Sequence, residues 1–143
     1  MRTKGNQKHG IIGKKLYKDI VSVMPITCVD LILIYVNKFL LGKRTNKPLK
    51  NKWCFSGGRI LKGESPIKAV YRKLKEETGL NKKDVESVSF LTVKDVFYSE
   101  SEFDSSMHNI NLIYKIRVKS PDNLKSDSQH SNLKWFSNID KKV

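Results

Sequence analysis

Residues 58 to 80 read GRILKGESPIKAVYRKLKEETGL, and this stretch is the part of the chain that decides the fold. Ser65 followed by Pro66 is typical of a helix start, and Gly79 is typical of a helix end. Apolar residues recur between them at helical spacing and form a predicted inward stripe of Ile67, Val70, Tyr71 and Leu74. The stretch therefore predicts a glycine-led loop that runs into an amphipathic helix with an acidic end.

The acidic end of this helix predicts a metal site. Residues three and four apart share a helix face, so Lys73, Glu76 and Glu77 point together. Mg²⁺ prefers oxygen ligands and is commonly shared between one or two carboxylates and substrate phosphates. Arg72 can orient Glu76 by a charge-assisted hydrogen bond, and Glu64 lies in the loop ahead. Lys73 is a cation on the same face and disfavours a centre with several metal ions, so one Mg²⁺ is predicted, with Mn²⁺ as the alternative.

The composition predicts one soluble domain. A length of 143 residues is about that of a single domain, and no apolar run approaches the roughly 20 residues that span a bilayer. Residues 1 to 13 are polar and basic, which predicts a mobile N-terminal arm before a single domain over residues 14 to 143. The start lacks the apolar core of a secretory signal, and Cys28 and Cys54 are typical of reduced cysteines. We therefore expect a cytoplasmic protein without membrane contact.

The charge balance favours a negatively charged partner. The 28 Lys and Arg against 14 Asp and Glu give a net charge of +14, which attracts polyanions over long range. The basic residues are scattered, and neither a helix-turn-helix pattern nor the aromatic pattern of an RNA-binding strand accompanies them. The charge therefore favours a small substrate that carries phosphate, and it disfavours nucleic acid as the partner.

The order of the predicted elements gives the fold class. One helix is predicted over residues 14 to 24, and the second follows Ser65. Polar loops are predicted at 42–52 and 121–131, and His130 falls in the second of them. Apolar and β-branched segments predict strands at 26–35, 39–41, 53–55, 85–98, 107–119 and 133–136. Helices that alternate with groups of strands predict an α/β (α+β) sandwich, in which a sheet lies between helices.

Residues 58 to 80 resemble the Nudix box, which is written G-x5-E-x7-R-E-U-x-E-E-x-G-U with U an aliphatic residue. The matching positions are Gly58, Glu64, Arg72, Leu74, Glu76, Glu77, Gly79 and Leu80. Only Lys73 departs, at a position where the family has a glutamate that binds metal or activates water. The resemblance implies a hydrolase with the Nudix-type α/β/α sandwich and its mixed central sheet. Lys73 implies that the base lies elsewhere in the chain.

Three further segments resemble the GDP-mannose mannosyl hydrolases, a branch of that family: LLGKRTNKP at 40–48, WCFSGGR at 53–59 and DSQHSNLKWF at 127–136. The similarity runs from about Lys18 to Asp140, and the branch also lacks the glutamate that Lys73 replaces. In that branch, water attacks the anomeric carbon of the sugar with inversion and expels GDP. The resemblance therefore implies a GDP-mannose mannosyl hydrolase that breaks a C–O bond and not a P–O bond.

The same resemblance implies the metal ligands and the base. Mg²⁺ would be held by Glu77, Gln129 and the backbone carbonyl of Gly57 together with the substrate diphosphate, and Glu76 is a further candidate ligand. His130 would be the general base, a role that suits an imidazole because its ordinary pKa of about 6.5 is close to working pH. The predicted metal site therefore joins the second helix to the segment that carries the base.

The substrate-binding residues implied by the resemblance are two arginines and two residues that face the sugar. Arg44 and Arg59 would neutralise charge on the departing β-phosphate, and both are expected to act in catalysis. Asp30 interrupts an apolar strand, where a buried carboxylate needs a partner or a function, and it would face the sugar as a catalytic and binding residue. Asn109 stands where the branch usually has a sugar-site tyrosine, so the sugar preference stays open.

Two other functions stay open on the sequence. Glu76 keeps the box close to its standard pattern, which leaves a Nudix pyrophosphatase that cleaves a P–O bond of a nucleotide sugar or nucleoside triphosphate. Lys73 and the net charge of +14 leave a non-catalytic Nudix-fold module that binds nucleotide or RNA. A homodimer is also left open, because domains of this size with exposed strands often pair.

Overall fold

The computed structural model describes residues 12–101, 103, 105–125 and 130–137, with the backbone alone at residues 130 and 131. Within these residues the chain forms two α-helices, one short 3-10 helix and seven strands. The helices are α1 (Lys14–Val23) and α2 (Pro66–Thr78), and the 3-10 helix is Lys82–Asp84. The strands are β1 (Ile26–Tyr35), β2 (Lys38–Arg44), β3 (Trp53–Cys54), β4 (Ser56–Arg59), β5 (Val85–Tyr98), β6 (Met107–Val118) and β7 (His130–Phe136).

The strands form one mixed sheet around β1. Over residues 26–34, β1 pairs in parallel with β6, and β6 pairs antiparallel with β5 at the edge of the sheet. On its other side, β1 pairs antiparallel with β4 at residues 28–31 and with β2 at Ile34 and Tyr35. β2 in turn pairs with β3 and β7. The predicted mixed central sheet is therefore confirmed.

Helices cover both faces of this sheet. α2 packs on one face, and the fully buried core between helix and sheet includes Val29, Leu31, Leu33, Val70 and Leu74. Alternate residues of β1 reach α2 because successive side chains of a strand point to opposite faces. On the other face, Val21 of α1 packs with Ile26 and Cys28. The predicted α/β/α sandwich is confirmed, and neither described helix is long and apolar enough to cross a membrane.

Local features of the sequence set both ends of α2. The Ser65 hydroxyl accepts a hydrogen bond from Lys68 N at 3.4 Å, and Pro66 is the first helical residue. Gly79 has a φ of 75°, a left-handed conformation that favours glycine, and its N–H donates to the Lys75 carbonyl at 2.9 Å. The predicted start and end of this helix are confirmed. The helix between these ends packs beside β4.

Two predicted loops are shorter in the structure. β2 continues to Arg44, and β7 begins at His130, so the prediction that both residues lie in polar loops is wrong. The pairing of β2 with β7 explains both extensions, because Arg44 and His130 are backbone partners in this ladder. The glycine pair Gly57 and Gly58 also lies in a strand and not in a loop, since β4 pairs with β1.

Three apolar residues that helical spacing places on inward faces are exposed. Leu16 and Met24 at α1 are 51% and 57% exposed, and Ile67 in the first turn of α2 is 42% exposed. The buried stripe of α2 is formed by Ala69, Val70 and Leu74, with Tyr71 partly buried against it. Periodicity identifies the inward face of a helix, but it does not show how far the sheet extends beneath that face.

The outer strand β5 has the exposed apolar surface that the predicted homodimer would use. β5 ends the strand order of the sheet, and four of its large apolar residues are exposed: Phe90, Leu91, Val93 and Phe97. An exposed apolar strand at a sheet edge can pair with a second chain. The structure describes a single chain, so the homodimer stays a prediction.

Gly57 and Gly58 allow a test of the packing of β4. A Cβ at Gly57 would overlap the backbone carbonyl oxygen of Val29, whereas a Cβ at Gly58 would lie 2.7 Å from Lys73 Cε, which belongs to a flexible side chain. We expect Gly57→Ala to lower the free energy of unfolding by about 3 kcal/mol, and Gly58→Ala by about 1 kcal/mol. Chemical denaturation of both variants measures the difference. Equal losses would contradict the close packing of β4 on β1.

Candidate active site

A cavity of about 580 Å³ lies beside β4, at the place where several predicted site residues meet. Its lining includes Asp30, Arg44, Gly57, Arg59 and Asn109. These residues come from β1, β2, β4 and β6, so strand pairing and not chain order brings them together. A volume of this size is typical of a small-molecule site. The structure places the predicted substrate-binding residues around one cavity, and their roles stay predictions.

Arg72 joins the loop before α2 to the helix. Its Nε and Nη2 donate to Glu64 Oε2 at 2.7 Å and Oε1 at 2.9 Å, a bidentate pair. Nη2 also donates to the Arg59 carbonyl at 2.9 Å, and Nη1 donates to Glu76 Oε2 at 3.2 Å. The predicted contact with Glu76 is confirmed, but the shorter bonds go to Glu64, whose pKa the hydrogen bond from Arg72 lowers. Arg72 and Glu64 therefore fix the end of β4 at Arg59 and the loop that follows it against α2.

Glu77 is a fully buried carboxylate at the acidic end of α2. Its Oε2 accepts a hydrogen bond from Gly57 N at 3.0 Å, and its Oε1 lies 2.8 Å from Lys73 Nζ. Lys73 is itself buried, and Nζ also lies 3.3 Å from Glu76 Oε2. Burial alone would lower the pKa of Lys73, but the charges and hydrogen bonds of Glu77 and Glu76 outweigh it and raise the pKa. Lys73 is therefore an ammonium that compensates the charge of Glu77.

The surroundings of Glu77 determine whether the described residues can hold the predicted metal ion. Within the described residues, the partner of Glu77 Oε1 is the ammonium of Lys73, 2.8 Å away. Among the same residues, no group of three His, Cys, Asp or Glu side chains can hold a metal ion. Gln129, a predicted ligand, lies outside the described residues. With Lys73 on Glu77, the described residues do not fit a bound divalent ion, and Mg²⁺ and Mn²⁺ stay predictions.

Asp30 is the only carboxylate among the described residues that line the cavity. Burial raises its pKa to about 6, the hydrogen bond from Asn111 Nδ2 to Oδ2 at 2.8 Å opposes this shift, and the charge of Glu77 adds to it. Gly57 lies against the other oxygen, because a Cβ there would be 2.6 Å from Asp30 Oδ1. The carboxylate is therefore held in place on two sides.

Arg44 and Arg59 bring positive charge to the cavity. Arg44 Nε donates to the Pro48 carbonyl at 2.7 Å, which fixes the guanidinium against the loop after β2. Arg59 Cζ lies 5.5 Å from the ring centre of Tyr17 in α1, a distance typical of a cation–π contact. Each guanidinium is therefore positioned by a contact outside its own strand, and α1 contributes to the wall of the site.

The predicted base is placed by its backbone. His130 is the first residue of β7, and its backbone pairs with that of Arg44 in β2. Arg44 lines the cavity, so the ladder brings the backbone of His130 to the strand end that borders the cavity. The structure leaves the side chain of His130 undescribed, and its role as a base stays a prediction.

Asn111 and Tyr98 are among the cavity residues that sequence reasoning misses. Asn111 is 4% exposed and bonds to Asp30, while its Oδ1, like that of Asn109, has no partner among the described residues. Two asparagines spaced two apart in an apolar strand lie on one face, and this spacing could have indicated Asn111. Burial raises the pKa of Tyr98, so its hydroxyl is a neutral group in the cavity.

The sequence matches the family model of the NUDIX domain over residues 24–140. The chain belongs to the Nudix family. The prediction of a Nudix hydrolase is confirmed at this level, and hydrolases of this family typically use a divalent metal ion.

Two relatives of this Nudix protein carry different names. The low-salt glycan biosynthesis protein Agl8 of Haloferax volcanii is 34% identical over 122 residues, which are 84% of this chain and 76% of Agl8. The ADP-ribose pyrophosphatase of Methanocaldococcus jannaschii is 38% identical over 94 residues, which are 66% of this chain and 52% of that enzyme. The chain therefore spans about three quarters of one relative and about half of the other.

A solved structure agrees with the Nudix fold. The MutT NUDIX hydrolase from Burkholderia pseudomallei superposes with a TM-score of 0.67 at 23% identity. The superposition covers 80% of this chain and 84% of that chain. At this level of identity, the likeness shows the fold and carries no conclusion about substrate.

The raised pKa of Asp30 makes the stability of the Nudix domain depend on pH. Because the pKa is about 6 in the folded protein and about 4 in the unfolded chain, stability falls as pH rises from about 4 to about 6. We expect Asp30→Asn to raise the free energy of unfolding by about 2 kcal/mol at pH 7 and to change it little at pH 4. Denaturant unfolding at both pH values measures this, with the exposed Asp19→Asn as control. A loss of stability at pH 7 would show that the Asp30 charge supports the fold.

Proposed function

We propose that this Nudix protein hydrolyses a GDP-sugar, with GDP-mannose as the first candidate, to GDP and the free sugar. The observation that carries the proposal is the cavity lining, which combines the cations Arg44, Arg59 and Lys73 with one half-buried carboxylate, Asp30. A nucleotide sugar has matching parts, because an anionic diphosphate adjoins a sugar that offers hydroxyl donors. The relative Agl8 is named for glycan biosynthesis, which supports a substrate that contains a sugar.

The cationic side chains suit a diphosphate leaving group. In hydrolysis at the anomeric carbon, the C–O bond breaks and GDP departs with the bonding electron pair, so negative charge builds on a β-phosphate oxygen. Arg44 and Arg59 are held at the cavity by Pro48 and Tyr17. Such fixed donors stabilise the growing charge without reorganisation, and each is typically worth about 10²–10³ in rate.

The attacking water needs a base that α2 does not supply. The described carboxylates of α2 are engaged with cations, since Glu77 pairs with Lys73 and Glu76 pairs with Arg72 and Lys73. We assign the base to His130, whose backbone pairs with Arg44 at the cavity. The imidazole takes one proton from water while the water oxygen bonds to the anomeric carbon from the face opposite GDP, which inverts that carbon.

The sugar is assigned to the end of the cavity that carries Asp30. Asp30 is held by Asn111, and Asn109 Oδ1 and Asn111 Oδ1 lack partners among the described residues. Buried acceptor atoms without partners are costly unless a ligand satisfies them. Sugar hydroxyls are donors of the required kind, so these three side chains suit the recognition of a hexose.

A pyrophosphatase is the second candidate function. The relative from Methanocaldococcus jannaschii is an ADP-ribose pyrophosphatase, and this chain keeps Glu76 and Glu77 of the Nudix box. Such an enzyme breaks a P–O bond and would release GMP and a sugar phosphate from a GDP-sugar. The ion pair between Lys73 and Glu77 weighs against it, because the box carboxylates that would hold metal are already compensated.

The products of hydrolysis distinguish these functions. Incubation with GDP-mannose in ¹⁸O-water, with and without Mg²⁺, is expected to give GDP and free mannose, with the label in the sugar because water attacks carbon. Mass spectrometry of the products measures both identity and label. GMP, mannose phosphate and label in phosphate would establish the pyrophosphatase instead. No turnover on a panel of GDP-, UDP- and ADP-sugars would establish a binding module.

The proposed base allows a separate test. We expect His130→Ala to lower kcat by about 10²–10⁴ and to leave the affinity for GDP nearly unchanged, because the imidazole acts on water and not on the leaving group. His108→Ala is the matched control, since this ring contacts Asp95 at 3.0 Å and stacks on Phe97 outside the cavity lining. Steady-state kinetics and GDP titration measure the two effects. An unchanged kcat in His130→Ala would refute the assignment.

A further inference from the structure

Lys73 separates Glu77 from the cavity. Lys73 is part of the cavity lining, whereas Glu77 is fully buried and does not contribute to the described lining. Gly58 makes this arrangement fit, because a Cβ at this residue would lie 2.7 Å from Lys73 Cε. The ammonium of Lys73 lies 2.8 Å from Glu77 Oε1. It is therefore the cation that pairs with this carboxylate on the side that faces the cavity.

A divalent ion on Glu77 would have to displace this ammonium or lie beside it. Glu77 Oε2 accepts the hydrogen bond from Gly57 N, so Oε1 is the oxygen that an ion would use. An Mg–O bond is about 2.1 Å long, so an ion on Oε1 would lie within about 5 Å of Lys73 Nζ. Two cations this close repel each other. The carboxylate holds one cation well, and in this chain that cation is Lys73.

The ammonium of Lys73 also has donor capacity for a ligand. A lysine ammonium has three N–H donors, and Glu77 and Glu76 take two directions around Nζ. Because Lys73 lines the cavity together with Arg44 and Arg59, a phosphate oxygen in the cavity can accept the remaining donor. Three cationic side chains would then face one polyanionic group.

We propose that Lys73 takes the place of a divalent cation at this Nudix site and that its ammonium binds the diphosphate of a nucleoside diphosphate directly. A nucleoside diphosphate then binds without a metal ion. This inference rests on the proposed function for the class of ligand. It depends on the diphosphate alone, and neither the sugar nor the bond that is broken enters it.

The test is calorimetric titration with inorganic pyrophosphate and with GDP, each in EDTA and in excess Mg²⁺. Wild type should bind both ligands in EDTA with an affinity within about threefold of that in Mg²⁺. Lys73→Met keeps an unbranched side chain as far as Cε and removes the ammonium with its charge. This variant should bind about 10–100-fold more weakly in EDTA, as expected for the loss of a charge-assisted hydrogen bond, and should regain affinity in Mg²⁺.

Lys75→Met is the matched control, because it removes the same charge from an exposed position of α2. It should bind pyrophosphate as wild type does. Mn²⁺ binding followed by electron paramagnetic resonance, without nucleotide, gives a second readout. Lys73→Met should bind Mn²⁺ at least about tenfold more tightly than wild type, because Glu77 has lost its resident cation. A wild type that binds pyrophosphate only with Mg²⁺, or equal behaviour of the two variants, would overturn the proposal.

A double variant keeps the test valid if Lys73→Met alone does not fold. Lys73→Met combined with Glu77→Gln leaves no unpaired buried carboxylate, and thermal melting reports whether it folds. It should bind pyrophosphate weakly in both EDTA and Mg²⁺, and wild-type affinity in EDTA would overturn the proposal. Sugar and turnover do not enter these titrations. A protein that binds pyrophosphate as expected but hydrolyses no GDP-sugar would therefore refute the proposed function and not the role of Lys73.

Discussion

The compensation of the buried charge of Glu77 is the constraint on which the rest of the site depends. A carboxylate with no exposure to water needs partners, and here they are the Gly57 N–H and the Lys73 ammonium. The bond to Gly57 ties α2 to β4, and Gly57 pairs in turn with Asp30 of β1. One charged group of the helix therefore sets how closely α2, β4 and the acid of the cavity approach one another.

The parts of the fold that the sequence predicts are those with local causes. Ser65, Pro66 and Gly79 define α2 because capping groups and a proline act within one turn of the helix. Element ends that depend on distant pairing are not predictable in this way, and β2 extends to Arg44 because β7 pairs with it. The exposure of Ile67 has a similar origin, since hydrophobic spacing carries no information about how far the sheet reaches.

For the site, the sequence indicates single residues better than it indicates their partners. Asp30 is conspicuous as a carboxylate in an apolar strand, but its partner Asn111 is 81 residues away and reaches it only through the parallel pairing of β1 with β6. Lys73 shares a helix face with Glu76 and Glu77, and this spacing alone predicts that its charge repels a metal ion there. Lys73 is also buried against Glu77, because it packs against Gly58 of β4. No local sequence pattern shows this packing.

The departure from the Nudix box is linked to the proposed chemistry through charge. Attack at phosphorus requires metal and an activated nucleophile beside the diphosphate, and there this chain has Lys73, an ammonium that cannot accept a proton. Attack at the anomeric carbon requires positive charge at the diphosphate and a base on the far side of the sugar. A lysine in the box weakens the first arrangement because it supplies neither a metal ligand nor a base, whereas it still supplies the positive charge that the second arrangement requires. Under the proposed function, the lysine that stands at this position of the box goes with attack at carbon, and the base then comes from β7 and not from α2.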